Sequence, residues 1–284
     1  MGIQLSQSHE NGAPEKADII ERLVRKDRLI VLGAVATVIV LAGIYTVAGV
    51  GMNMSALDMT RMAEPFGDRV RLGSDVYWTP AYGALVGLMW WIMMIAMMTP
   101  SAAPTLLLFI ALKRHGKDRE RTHVYGALFL AGYLLIWAVF AVSAAFLQWM
   151  LETIGLVSTS TMVINSKALA GAMLLGAGLY QFSSLKNACL KHCRSPVSFL
   201  SEHNRPGFTG ALRMGAHHGI FCLGCCWALM ALLFVGGIMN LFWISGLAIY
   251  VIVEKLVPNG ALFSKIAGSL LVLAGSLYLF QSVA

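Results

Sequence analysis

Charge is what this chain has little of. Only 12% of its 284 residues are Asp, Glu, Lys or Arg, against ~25% in a soluble domain. With 58% hydrophobic residues and a mean hydropathy of +0.72, this excludes a water-soluble globular domain and predicts a polytopic helical membrane protein. Acidic residues are almost absent from the long apolar runs, which argues against a proton pump built on Asp or Glu relays. There is no Gly-rich phosphate loop, no nucleophile elbow, no carboxylate pair and no RNA- or DNA-binding signature. The net charge of +7 is therefore read as marking cytoplasmic loops, not a nucleic-acid surface. No short apolar segment lies close to Met1 either. Residues 1–28 are polar and end in Arg22, Arg25, Lys26 and Arg28, so the first apolar run is expected to be an uncleaved helix and not a signal peptide.

Seven apolar runs follow, at about 29–51, 82–112, 122–149, 166–187, 210–237, 239–256 and 262–282, against the ~20 residues of one crossing; the second is too long for a plain straight span. The expected fold is all-α: a cytoplasmic segment 1–28, then a single transmembrane domain 29–284 of about seven helices. With the N-terminus inside, the inner segments carry 17 Lys and Arg and the outer ones 4. The positive-inside rule then places the N-terminus in the cytoplasm and the C-terminus in the periplasm or outside. The outer loop 52–80 is the one sizeable soluble piece.

Three features bear on architecture. Pro100 and Pro104 interrupt the second run, so a kinked or broken helix is expected there, as at transporter binding sites. The short link Gly237–Asn240 makes the fifth and sixth runs an antiparallel hairpin. Residues 166–182 align without gaps on 264–280, which is consistent with a three-plus-three inverted repeat after the first helix, or with the general likeness of small-residue apolar helices.

Against this apolar background, one fourteen-residue segment, His217 to Met230, holds His217, His218, Cys222, Cys225, Cys226 and Met230. Polar, metal-binding side chains in a bilayer are costly and by default mark function. Residues four apart share a helix face, so Met214, His218, Cys222, Cys226 and Met230 form a row, with Cys225 beside Cys222 and His217 beside Met214. Cys222 and Cys225 form a CxxC, a spacing that also suits thiol–disulfide exchange. The second run adds Met89, Met93, Met94, Met97 and Met98, two pairs of them at MxxxM spacing; packing explains such a stripe equally well. Cys189 and Cys193 follow the fourth run among Lys186, Lys191, His192 and Arg194. They are expected to form an inner station of reactive thiols. Glu254-Lys255 is read as an interfacial ion pair or a snorkelling lysine. Thiols with thioethers select Cu(I); zinc also suits Cys and His.

Several of these segments are similar to one known family. They are Trp90 to Ser101, Tyr180 to Pro196, Gly215 to Met230 with its Cys222-Leu-Gly-Cys225-Cys226-Trp227 core, and Phe234 to Lys255. Together they resemble a bacterial family described as predicted metal-binding integral membrane proteins of uncharacterised function, over about residues 80–260. The chain departs from the pattern at Ser183-Ser184, where Thr-Pro is expected. The resemblance implies metal binding and a membrane location, and supplies no reaction.

The resulting expectation is an inner-membrane protein that moves Cu(I) or hands it on. Its path would use Met93, Met97 and Met98, then His217, His218, Cys222, Cys225 and Cys226, with an inner station at Cys189 and Cys193. Its partners would be the lipid bilayer, the metal ion and a membrane cuproenzyme or metallochaperone. The alternatives are a membrane thiol oxidoreductase cycling Cys222/Cys225 against Cys189/Cys193, and a non-catalytic subunit of a membrane complex.

Overall fold

The computed structural model describes residues 33, 35–49, 55–62, 78–114, 119–159, 162–203 and 205–283. The expected cytoplasmic segment 1–28 and most of the loop 52–80 lie outside them. The described chain is helical, with one isolated β-bridge between Val157 and Ile164. Its helices are α1 (Val35–Ala48), α2 (Ala56–Met62), α3 (Pro80–Arg114), α4 (Thr122–Thr153), α5 (Lys167–Tyr180), α6 (Ser184–Arg194) and α7 (Pro196–Glu202). They continue as α8 (Gly207–Ala231), α9 (Leu233–Gly236), α10 (Leu241–Leu256) and α11 (Gly260–Val283).

Among the described residues four stretches are long and apolar enough to cross a bilayer: α3, α4, α8 continued by α9, and α11. A fifth arises only if α5 and α6, bent by 62°, count as one. By this measure the described residues hold four or five of the seven expected spans; the first, 29–51, is described only in part. The bend has a local cause. Ser183 is extended, and its side chain accepts a hydrogen bond from the Lys186 amide, capping a new helix where a straight span would continue. α10 has 16 residues, short of the ~20 that cross the hydrocarbon layer.

α3 runs unbroken through Pro100 and Pro104, so no break occurs there. Neighbouring hydroxyls can satisfy backbone groups around a membrane proline. Here Ser101 Oγ and Tyr133 Oη both donate to the carbonyl of Met98, at 2.9 and 3.1 Å. The internal echo is matched by a direct contact. α5 packs on α11, with Gly171 against Gly275 and Gly178 against Gly268. Small-residue faces that let backbones approach resemble one another for that reason.

α8 is the central helix, and α4 lies along it backbone to backbone. A Cβ at Gly215 would run into the carbonyl of Phe129, and one at Gly132 into the carbonyl of Leu212. Gly215→Ala is therefore expected to force α4 and α8 apart. Overpacking of this kind costs about 1–3 kcal/mol, to be read as a lowered Tm in detergent; an unchanged Tm would show that the two helices are not in backbone contact. The core around this pair is sulfur-rich. Met89, Met93, Met94, Met97 and Met98 of α3 are buried with Trp90, Tyr133, Trp137, Met230 and the three Cys of α8.

Candidate metal centre

The α8 row begins at His218. It is buried, and neither ring nitrogen has a hydrogen-bond partner among the described residues. Its walls are aromatic: Phe129, Tyr133 and Phe199, with ring centroids 6.0, 5.7 and 5.3 Å away. An imidazole sealed in such a box with no partner is costly and calls for a function, an unseen ion being one explanation.

One turn on, Cys222, Cys225 and Cys226 are all fully buried. The Cys225 and Cys226 thiols donate to the Cys222 carbonyl at 3.1 and 3.0 Å. Because α6 folds back after its bend, the Cys193 thiol interacts with those of Cys222 and Cys225. Cys189 lies on Gly224, where a Cβ would meet its sulfur at 2.6 Å. The expected inner station is thus not a separate place: α6 presses its thiols onto the α8 thiols. All five cysteines are free.

α3 closes the other side. Met98 Sδ lies 4.0 Å from Cys226 Sγ. Met93 and Met97 share the same buried core. His217 departs from the expected set, being only half-buried and turned to His203, ring centroids 5.4 Å apart.

Two charged groups complete the site, and neither sits where the sequence suggested. Lys255 is buried and does not pair with Glu254. It is fifteen residues beyond Asn240, the turn residue that caps α10, while Cys222 is fifteen residues before Gly237. The two legs of the hairpin therefore bring lysine and thiol to the same depth. Lys255 Nζ lies 3.1 Å from Cys222 Sγ and 2.9 Å from Ser101 Oγ. Tyr133 Oη is also 3.1 Å from Cys222 Sγ. Glu254 does not pair with Lys255. It meets Lys186 of α6 at 2.8 Å, both side chains fully buried, and accepts from Tyr250 Oη at 3.1 Å. Lys186 also donates to the Cys225 carbonyl at 3.0 Å, tying α6, α8 and α10 together beside the thiols. Tyr180 Oη donates to the Gly224 carbonyl one residue earlier.

Sequence reasoning missed Lys255 and Tyr133 as neighbours of Cys222, and Ser101 as a partner of Lys255. A lysine at the end of an apolar run is itself a signal of function where that run crosses a bilayer, and its place in the hairpin was countable. Tyr133 sits on α4 in no motif and carried no such signal.

Among the described residues no group of three or more His, Cys, Asp or Glu side chains is arranged as a ready-made metal holder. What the arrangement offers is a row of soft donors, thiol, thioether and imidazole, with one fixed cation beside the central thiol. Soft donors suit Cu(I), and a monovalent closed-shell ion tolerates the low coordination that successive pairs of such donors provide.

The comparisons with known proteins bear on the same region. A family model described as "PpoB2: Copper chaperone" matches residues 87–278, more than half of the 284 residues and inclusive of every thiol above. No match was found among curated proteins or among solved structures.

Proposed function

This chain belongs to the PpoB2 copper chaperone family, and from that premise we propose that it carries Cu(I) within a bacterial inner membrane and delivers it to a membrane cuproenzyme or a metallochaperone. The observation that carries the reading is the buried cluster itself. Cys193, Cys222, Cys225 and Cys226 meet beside Met98, with the unpartnered imidazole of His218 one turn away. Copper is the cargo here. It passes between Met98, Cys226, Cys222 and His218, and Cys193 and Cys189 accept it from the α6 side. Several weak positions in series permit movement where one tight site would trap the ion. The excess of Lys and Arg in alternate segments of the sequence supports an N-terminus in the cytoplasm and a C-terminus outside.

The role of Lys255 follows from charge. A thiolate in a low-dielectric interior needs a counter-charge, and the ammonium at 3.1 Å from Cys222 supplies one. An ion held by two thiolates carries one net negative charge, which the same lysine balances.

The test is metal content of protein purified anaerobically in detergent, wild type beside Cys222→Ser/Cys225→Ser/Cys226→Ser, with Cu(I) and Zn(II) in competition. Bound copper in the wild type, absent from the variant and not displaced by zinc, is expected. The contact of Cys193 with Cys222 and Cys225 is also what a thiol-exchange enzyme requires. Wild-type protein without copper and with its thiols paired would sink the chaperone reading in favour of that one.

A further inference from the structure

A second group of imidazoles lies where α6, α7 and α8 come together, outside the thiol cluster. His203 follows α7, and His217 stands on α8. Their rings are 5.4 Å apart between centroids, at 67° to one another. Metal–nitrogen bonds of about 2.0–2.1 Å, added to the size of two imidazoles, put the centroids of rings sharing one ion at roughly this separation. The His203 tautomer is set by its surroundings. Nδ1 lies 3.2 Å from the Phe199 carbonyl, which can only accept, so Nδ1 carries the proton and Nε2 of the neutral ring keeps its lone pair. Metal-binding histidines are commonly prepared in this way. His192 on α6 is prepared alike through the Ala188 carbonyl at 2.9 Å, and it stacks on Phe221 at 4.3 Å.

The pair is connected to the buried row. Phe199 stacks on His203 at 5.0 Å on one side and touches His218 at 5.3 Å on the other. Both histidines of the pair are half-buried, whereas His218 is sealed. One phenyl ring thus separates an accessible imidazole pair from a buried imidazole with two open nitrogens.

We infer that His203 and His217 form a two-histidine entry station for Cu(I), from which the ion passes the Phe199 ring to His218 and then to Cys222. The inference rests on the copper reading above but names a separate site. The station holds its ion weakly, because it offers two neutral donors and Arg205 stands close to His217. Weak holding is what a port requires, since an ion bound tightly there would not move on. No bond other than metal coordination changes, and the ion remains Cu(I) throughout.

The test uses the full chain in detergent, with Cu(I) supplied anaerobically as an acetonitrile complex. Diethyl pyrocarbonate labelling of each histidine is read by peptide mass spectrometry, with and without the ion. It is applied to the wild type and to Cys222→Ser/Cys225→Ser/Cys226→Ser, in which the ion has no thiol row to enter. Cu(I) is expected to protect His203 and His217 in that variant and to leave His123 labelled. Loss of protection there overturns the station while leaving copper binding by the wild type intact. Conversely, wild-type protein that keeps no copper after buffer exchange, while the pair is protected as long as the ion is present, refutes the buried carrier and not the port. A second measurement follows loading of the thiol row in His203→Ala/His217→Ala. Loading is expected to slow about tenfold or more with the final copper content unchanged; an unchanged rate overturns the proposal.

Discussion

Glu254→Ala is expected to destabilise the protein by about 3–5 kcal/mol, the usual cost of leaving one member of a buried ion pair without its partner. Lys186 and Glu254 are both fully buried, 2.8 Å apart, within helices that pack around the thiols. Without the carboxylate, the Lys186 ammonium is left with the Cys225 carbonyl, in surroundings where an unpaired charge is far from water. Tyr250 Oη loses its acceptor as well. The measurement is thermal unfolding in detergent, followed by helical circular dichroism. The control is Lys186→Met/Glu254→Leu, which removes both charges at similar volume and is expected to recover most of the loss. If the single variant unfolds at the wild-type temperature, or the double variant is no better than the single, the pair does not hold α6 and α10 together.

Lys255→Met is expected to weaken Cu(I) binding by about 10–100-fold while leaving the fold in place. Methionine is close to lysine in length and keeps the apolar stem, so what is removed is the ammonium 3.1 Å from Cys222 Sγ. A hydrogen bond to a charged group contributes about 1.5–3 kcal/mol, which sets that range. Competition against a colorimetric Cu(I) chelator measures it, and the Tm serves as the control for folding. Equal affinity in variant and wild type would mean that the thiolate is balanced by some other group and that Lys255 only ties α10 to Ser101 of α3. Because Met is itself a soft donor, Lys255→Leu is the companion variant, and it is expected to lose affinity to the same extent.

Much of this site was readable along the chain because its parts are local. The spacing of His218, Cys222 and Cys226 places them on one side of a helix whatever surrounds it, and they are buried in the fold as expected. The Met stripe of α3 was visible in the same way, and it is buried beside the same thiols. What spacing along a helix does not contain is the angle between two helices. The fourth apolar run looked continuous, yet Ser183 caps a new helix at Ser184, and the 62° bend carries Cys193 from the expected inner station to Cys222 and Cys225. The same limit applies to His217, next to His218 in sequence but about 100° round the helix, where it meets His203 of another segment.

The sequence by itself determined the class and the chemistry: helices, because 58% hydrophobic residues with few charges require backbone groups to bond within each segment, and soft-metal donors, because residue type alone sets ligand softness. The tertiary structure decided the pairings of charge. Glu254 and Lys255 are neighbours in the chain and invite the reading of one ion pair. In the fold Glu254 meets Lys186, and Lys255 meets Cys222. Consecutive residues on a helix point about 100° apart, so each side chain meets whatever helix stands on its own side, and only the packing of α3, α6 and α8 around α10 settles which that is.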